Sequence, residues 1–236
     1  MDWVGRFDVR EKGPADLVTQ ADLASQKAIR EFVLGHFPDH GFLGEEDDGA
    51  SGGHAEYVWV VDPLDGTTNY VHRNPQFAVS VALVRVAEVV AGAVFDPSSG
   101  ECFMAERGSG AFLDGKPIAV SSVQSLSDAL VAVSFSAKVD EDSPQIPLFL
   151  KILTRAQAIR RTGSAALNLA GVACGRFDAY WATDNKPWDV AAGLLLVEEA
   201  GGVNITPEGG AVDVMAPRLA VAATVELQRD LCAVLT

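Results

Sequence analysis

Trp59-Val60-Val61-Asp62-Pro63-Leu64-Asp65-Gly66-Thr67-Thr68-Asn69 is the stretch on which the reading of this chain turns. Tyr57 to Val61 is a short apolar run of the kind that makes a buried strand, and it delivers Asp62 to the edge of a sheet. Pro63 has no amide hydrogen and a restricted φ, so the strand is expected to stop at Asp62-Pro63 and a turn to begin. Two carboxylates three residues apart across that turn can point at one place, with the Leu64 carbonyl between them as a further hard oxygen. Magnesium prefers oxygen ligands and keeps several waters, so this donor set suits it. Gly66-Thr67-Thr68 follows, with a glycine where backbone can approach a ligand and then what reads as the first turn of a helix. Free amides at such a turn attract an anion. A metal site beside a phosphate cradle is the chemistry that this spacing implies.

Two other segments carry carboxylates that could join it. Gly44-Glu45-Glu46 follows the short apolar pair Phe42-Leu43. Glu45 could bridge metals if it lay beside Asp62, or it could belong to an exposed acidic loop. Trp188-Asp189-Val190-Ala191-Ala192-Gly193 puts Asp189 at a helix N-terminus, where capping alone would account for it. Gly163-Ser164-Ala165-Ala166 opens another helix, facing the substrate or simply packing closely.

The surrounding pattern is mixed. Thr19-Gln20-Ala21-Asp22 has the form of a capping box, and Leu23, Ile29, Phe32, Val33 and Phe37 continue at helical spacing until Pro38. Residues 46–53 read as an acidic, glycine-rich loop. Strands are expected within 77–95 (two, broken near Ala87-Glu88), 101–105, 111–113, 130–135, 179–182 and 203–205. Helices are expected over 148–158, 164–174, 190–200 and 225–235. Runs of strands mixed with helices imply a layered α/β or α+β sandwich. The length fits one domain over 1–236, with two lobes of about 1–135 and 136–236 sharing a core.

Composition narrows the function classes. Of 236 residues, 48% are hydrophobic and 21% charged, enough for a large core. No apolar run reaches the roughly 18 residues of a membrane span. Met1 to Arg6 lacks a long apolar segment, so a cytoplasmic protein is expected. A net charge of −14 argues against a nucleic-acid backbone as partner. An anionic substrate then requires local reversal of sign, which divalent cations supply. Cys102, Cys174 and Cys232 have no metal or disulfide spacing and read as free thiols, and no cysteine lies in a phosphate-binding loop. His36, His40, His54 and His72 show no metal spacing either.

Glu45-Glu46, the string from Asp62 to Asn69, and Trp188 to Gly193 together resemble the signatures of the inositol monophosphatase family, which belongs with the fructose-bisphosphatases and other lithium-sensitive phosphatases. Residues 16–22, 108–115 and 160–168 resemble it too, so the likeness runs from about Asp16 to nearly the C-terminus. The resemblance implies a five-layered αβαβα sandwich, usually a homodimer, and hydrolysis of a small phosphate monoester with two or three Mg2+ ions. It implies that Glu45, Asp62, the Leu64 carbonyl, Asp65 and Asp189 bind metal. Asp22 and Thr67 would orient and deprotonate the attacking water, with Glu45 as the third catalytic residue. Asp65, Gly66, Thr67, Ser164, Ala165 and Asp189 would meet the substrate, and Glu46 would sit behind the ligands or take part in a third site. Inositol 1-phosphate ranks first as substrate, then histidinol phosphate, then fructose 1,6-bisphosphate; 3′-phosphoadenosine 5′-phosphate fits a chain this compact poorly, and a purely regulatory protein would have lost a metal carboxylate. Asp16 comes early, implying a shortened leading helix. Where inositol-specific members carry an acidic residue this chain has Ala182, with Asp184 two residues on.

Overall fold

The structure, a computed structural model, describes residues 9–13, 16–47, 55–136 and 138–236. A hairpin of β1 (Val9–Gly13) and β2 (Asp16–Thr19) leads into α1 (Gln20–His36). Next come β3 (Gly41–Gly44), β4 (Tyr57–Asp65), α2 (Thr67–Val71), β5 (Ala78–Arg85), β6 (Glu88–Phe95), β7 (Cys102–Glu106), β8 (Gly110–Leu113) and β9 (Lys116–Pro117). A 3-10 turn at Leu126–Asp128 precedes β10 (Leu130–Ser134), α3 (Gln145–Leu153), β11 (Ala158–Arg160), α4 (Ala165–Ala173) and β12 (Ala179–Ala182). The chain closes with α5 (Pro187–Glu199), β13 (Val203–Ile205), β14 (Leu219–Ala222) and α6 (Val225–Leu235).

Two sheets result. The first runs β3-β4-β5-β6-β7-β8-β9 and is antiparallel except for the β3–β4 pair. The second runs β11-β10-β12-β14-β13, with β10 parallel to both its neighbours. Side-chain alternation sorts the layers. Val60 of β4 packs into the core made with α4 and α5, while its neighbour Val61 packs with Phe42 and with Val33 of α1 on the opposite face. In β12, Tyr180 and Ala182 face α4 and α5, whereas Ala179 and Trp181 face Leu227 and Leu231 of α6 and Ile152 of α3. The order is therefore α1, first sheet, α4 with α5, second sheet, α3 with α6: five layers, as the resemblance implied. Because β4 is covered on both faces, it reads as a continuous apolar run.

Several elements differ from their expected bounds. β4 does not stop at Pro63; it continues to Asp65, with a register shift against β5 between Asp62 and Asp65. The partner β3 ends opposite Val61, so beyond it Pro63 has no ladder on that side to break. The helix expected over 148–158 begins at Gln145 and ends at Leu153, because Pro147 sits in the first turn, where its missing amide hydrogen costs nothing. Ala158–Arg160 is instead an edge strand paired with β10. α5 starts at Pro187, three residues early, with the proline at its first position. The β1–β2 hairpin and β14 were not anticipated; β14 is only four residues long, LAVA, and pairs on both sides. β10, before the expected lobe division at 135/136, belongs to the second sheet. Of the loop read over 46–53, residues 48–53 lie outside the described residues, as do His54 and the leading segment before Val9.

Close packing between layers fixes the site. A Cβ on Gly92 of β6 would lie 2.9 Å from Ala192 Cα, and one on Gly193 would lie 2.5 Å from Leu169 Cβ. The Ala191-Ala192-Gly193 stripe thus lets α5 sit directly against the first sheet and α4. Ser80 Oγ, on β5, also donates to the Trp188 carbonyl at 3.1 Å. These contacts set Asp189, on the first turn of α5, over the C-terminal end of β4.

Candidate active site

A cleft of about 980 Å³ opens at the ends of β4 and β10, one strand from each sheet. Glu45, Asp62, Leu64, Asp65, Gly66, Thr67, Ala165 and Asp189 all line it, so the three carboxylate segments that the sequence left apart are brought together. Each arrives for a local reason. Gly44 pairs with Val61 in parallel register, which puts Glu45 beside Asp62, and the Glu45 amide donates to the Val61 carbonyl at 3.2 Å. Gln26 of α1 holds the same turn by accepting from the Glu46 amide at 2.9 Å, and Glu46 itself does not line the cleft. In a regular strand, residues three apart face opposite sides. The register shift between Asp62 and Asp65 removes that difference, so both face the cleft.

The carboxylates are held differently. Asp62 is 2% exposed, and its Oδ1 accepts from the Leu64 amide at 2.9 Å. Burial, followed by the charges of Glu45, Asp65 and Asp189, holds its pKa well above the ordinary carboxylate range. Asp65 turns toward the start of α4: its Oδ2 accepts from Ser164 Oγ and from the Ala166 amide at 2.8 Å, and its Oδ1 from the Ala165 amide at 3.2 Å. Burial lifts it to about 6 against the pull of those donors. Asp189 is lifted to about 7, first by burial and then by the charge of Asp65. It occupies the third helical position and not the cap, and its Oδ2 accepts from the Lys186 amide at 2.8 Å, so it both caps α5 and faces the cleft.

Behind this row, Asp22 is fully buried; its Oδ2 accepts from the Thr19 amide at 2.9 Å and Thr19 Oγ1 at 2.5 Å. That is the capping box of α1. Its Oδ1 faces Thr67 Oγ1 at 3.2 Å, and the same hydroxyl lies 3.1 Å from the Leu64 carbonyl. Gly66 has φ +91°, and a Cβ there would lie 2.8 Å from the Gln76 carbonyl oxygen, so glycine is required. α2 has only five residues, so its macrodipole is small. What it offers an anion is the opening amides at Thr67 and Thr68, which have no carbonyl within the helix to bond.

Two expectations change. Ser164 is fully buried and committed to Asp65 and to the Leu167 amide at 3.2 Å, so it supports the site without facing the cleft. Ala182 is 1% exposed and belongs to the core, whereas the exposed Asp184 lines the cleft. Among the described residues, no three His, Cys, Asp or Glu side chains are gathered tightly enough to grip one ion unaided. Like charges face one another, and Asp65 is committed to α4 amides. The donors still fit a hard divalent cation: they are all oxygen, and burial leaves their charge uncompensated. Sequence reasoning missed the cleft-lining cations Lys138, Arg161 and Lys186, together with Asn69, Asn74 and Asn185. Arg161, next to the Thr162-Gly163 turn and held with its guanidinium 5.3 Å from the Phe135 ring centre, had a signal in its position, as did Asn69 at the end of the aspartate-rich string; the others had none. The three cysteines are free and partly buried. Among the described residues, no helix is long and apolar enough to cross a membrane.

Comparison with known proteins agrees with this geometry. The profile of the inositol monophosphatase family matches residues 3–236. An inositol-1-monophosphatase of Rhizobium meliloti is 45% identical over 208 residues, covering 88% of this chain and 78% of the relative. The solved structure of the extragenic suppressor protein suhB from Bartonella henselae superposes with a TM-score of 0.92 at 38% identity, covering 99% of this chain and 90% of that one. An IMPase/NADP phosphatase solved with Mg2+ and phosphate superposes with a TM-score of 0.88 at 25% identity, covering 100% of this chain and 88% of the other. With its layer order, its aspartate-rich turn and a family match over nearly its whole length, the chain belongs to the inositol monophosphatase family.

Proposed function

We propose that the protein is a magnesium-dependent phosphatase acting on the monophosphate ester of a small polyol, with inositol 1-phosphate first among candidates. The observation that carries this reading is the convergence of Glu45, Asp62, the Leu64 backbone, Asp65 and Asp189 on one cleft beside the Gly66-Thr67 turn. Those five residues would hold two or three Mg2+ ions, which supply charge neutralisation at the phosphate and a lowered pKa for water. The solved relative carrying Mg2+ and phosphate supports the choice of ion.

The chain's own residues then do the positioning. The Gly66 and Thr67 amides hold phosphate oxygens, with Asp65, Ala165 and Asp189 forming the rest of the substrate's surroundings. Thr67 Oγ1 has one proton and two acceptors, Asp22 Oδ1 and the Leu64 carbonyl. Giving it to Asp22 frees the hydroxyl oxygen to orient a water and take its proton. Thr19 holds Asp22 by two donors, so Oδ1 stays aimed at Thr67. Phosphoryl transfer needs placement and charge stabilisation more than covalent help, so no nucleophilic side chain is required. The site lies between two lobes, one built on each sheet.

A second reading, a sugar bisphosphate such as fructose 1,6-bisphosphate, is favoured by Lys138, Arg161 and Lys186 lining the cleft. Phosphate release from inositol 1-phosphate, histidinol phosphate, fructose 1,6-bisphosphate and 3′-phosphoadenosine 5′-phosphate, with and without magnesium, tests both. Magnesium-dependent turnover of the first is expected, with inhibition by lithium; no turnover of any of the four would refute the enzyme reading.

A further inference from the structure

Two turns, one following a strand of each sheet, meet beside the cleft, and the Asn69 side chain joins them alongside that of Asp65. Asn69 lies in α2, just after Asp65-Gly66-Thr67. Its Nδ2 donates to the Gln76 carbonyl at 2.6 Å, closing the loop that follows α2, and to the Thr162 carbonyl at 2.8 Å, at the end of the segment leading from β11. Its Oδ1 accepts from Asn74 Nδ2 at 3.0 Å. Both amide hydrogens and the carbonyl oxygen are therefore used.

The backbone on each side is shaped around this amide. Gly163, directly after Thr162, has φ +91°, and a Cβ there would lie 2.7 Å from Asn69 Nδ2. Gly66, three residues before Asn69, also has φ +91°; a Cβ on it would lie 3.2 Å from the Gly163 carbonyl oxygen. Ser164, the next residue, caps α4 and bonds Asp65. Thr162 Oγ1 donates to Asn168 Oδ1 at 2.7 Å, tying the same turn to the body of α4. The offset between the Asp65-Gly66-Thr67 turn and the α4 N-terminus is thus held twice, by the bonds Asp65 makes to α4 and by the Asn69 carboxamide behind them.

We propose that Asn69 is a positioning residue that sets Asp65 and the Gly66-Thr67 amides against the start of α4, and so sets the geometry in which the cleft takes up a divalent cation. This rests on the magnesium reading of the cleft. It acts through Asp65 and touches no reacting atom. An aspartate in its place would keep the shape and the Asn74 contact while turning an acceptor toward two carbonyl oxygens, so no common side chain reproduces the bridge.

The test compares full-length wild type, Asn69→Ala, Asn69→Asp and Asn204→Ala. Asn204 is a suitable control because its Nδ2 makes a 2.7 Å bond to the Leu194 carbonyl, away from the cleft. Magnesium affinity is measured by calorimetry and by the rise in melting temperature on adding the ion; kcat and KM are measured on whichever ester wild type turns over. Both Asn69 variants should bind magnesium about tenfold more weakly, the scale of residues that orient metal ligands, with kcat falling more than KM rises. Asn204→Ala should lose thermal stability and keep its affinity. Asn69→Asp decides the matter if Asn69→Ala does not fold. Wild-type affinity in a folded Asn69 variant, or an equal loss in Asn204→Ala, overturns the proposal. A wild type that turns over none of the four esters refutes the phosphatase reading separately, since calorimetry still ranks the variants.

Discussion

Two sets of aspartates are wholly or partly buried in this fold, and they differ in the charges around them. Asp96 and Asp178 are enclosed by donors. Asp96 accepts from the Ser98 amide at 2.7 Å and Ser99 Oγ at 2.9 Å, and Asp178 accepts from Ser121 Oγ at 2.5 Å and the Leu130 amide at 2.7 Å. They hold turns and strand ends together. Asp62, Asp65 and Asp189 also accept hydrogen bonds, but they share the cleft with one another and with Glu45, and burial raises all three above the ordinary range. A buried carboxylate with matching donors is a structural bond, whereas several sharing one wall destabilise the protein until something positive joins them. The difference lies in what was placed opposite the carboxylate.

Replacing one member of each set breaks the comparison most directly. Asp62→Asn should lower phosphatase activity by more than about a hundredfold, because residues that merely orient metal ligands are already worth 10–100-fold. The same change should raise the melting temperature of the metal-free protein by removing a like charge; activity within a few-fold of wild type would sink the assignment.

Titration gives a smaller effect. Asp65 at about 6 and Asp189 at about 7 bind protons more tightly folded than unfolded, where the reference is 3.8. The folded state is favoured below that reference, and the advantage is lost as pH rises through the folded values. Metal-free protein should therefore melt at lower temperature at pH 8 than at pH 5, and magnesium should raise the melting temperature most at pH 8. A flat profile across that interval would show that burial and neighbouring charge do not raise these carboxylates as described.

Asp178→Asn gives the smallest change. It leaves one buried donor poorly matched and should cost about 1–3 kcal/mol of stability. Magnesium affinity and kcat of the folded variant should stay at wild-type values. Denaturant unfolding and calorimetry check the two halves of that expectation.

The two sets are only partly distinguishable from local sequence. Asp62-Pro63-Leu64-Asp65-Gly66 carries its own signal, because proline, glycine and paired carboxylates constrain one another within a few residues. Asp189 looks like a helix cap from its neighbours, and it does accept a capping bond; its second role exists only because α5 lies against β6 at Gly92. Ser164 reads as a substrate-facing residue, yet it is buried beneath Asp65. β14 was not anticipated because four small residues carry little periodicity, and its strand character comes from pairing on both sides. Of the Ala158–Arg160 strand only Ala158 falls in the expected helix, and the strand's order comes from parallel pairing to β10.

The sequence by itself determined the capping box at Thr19, the alternation of strands and helices, and the aspartate-glycine turn with its preference for a hard cation and an anion. These are near-neighbour effects, carried by φ restriction, missing amides and side-chain reach over three or four residues. Only the tertiary structure decided which carboxylates share a wall, that Asp65 answers to the α4 N-terminus, and that Asn69 joins the two sheets. Those facts depend on contacts far apart in the chain, such as that between Asp65 and the Ala166 amide, 101 residues on. Such contacts are set by layer packing and sheet register, and no local pattern encodes them.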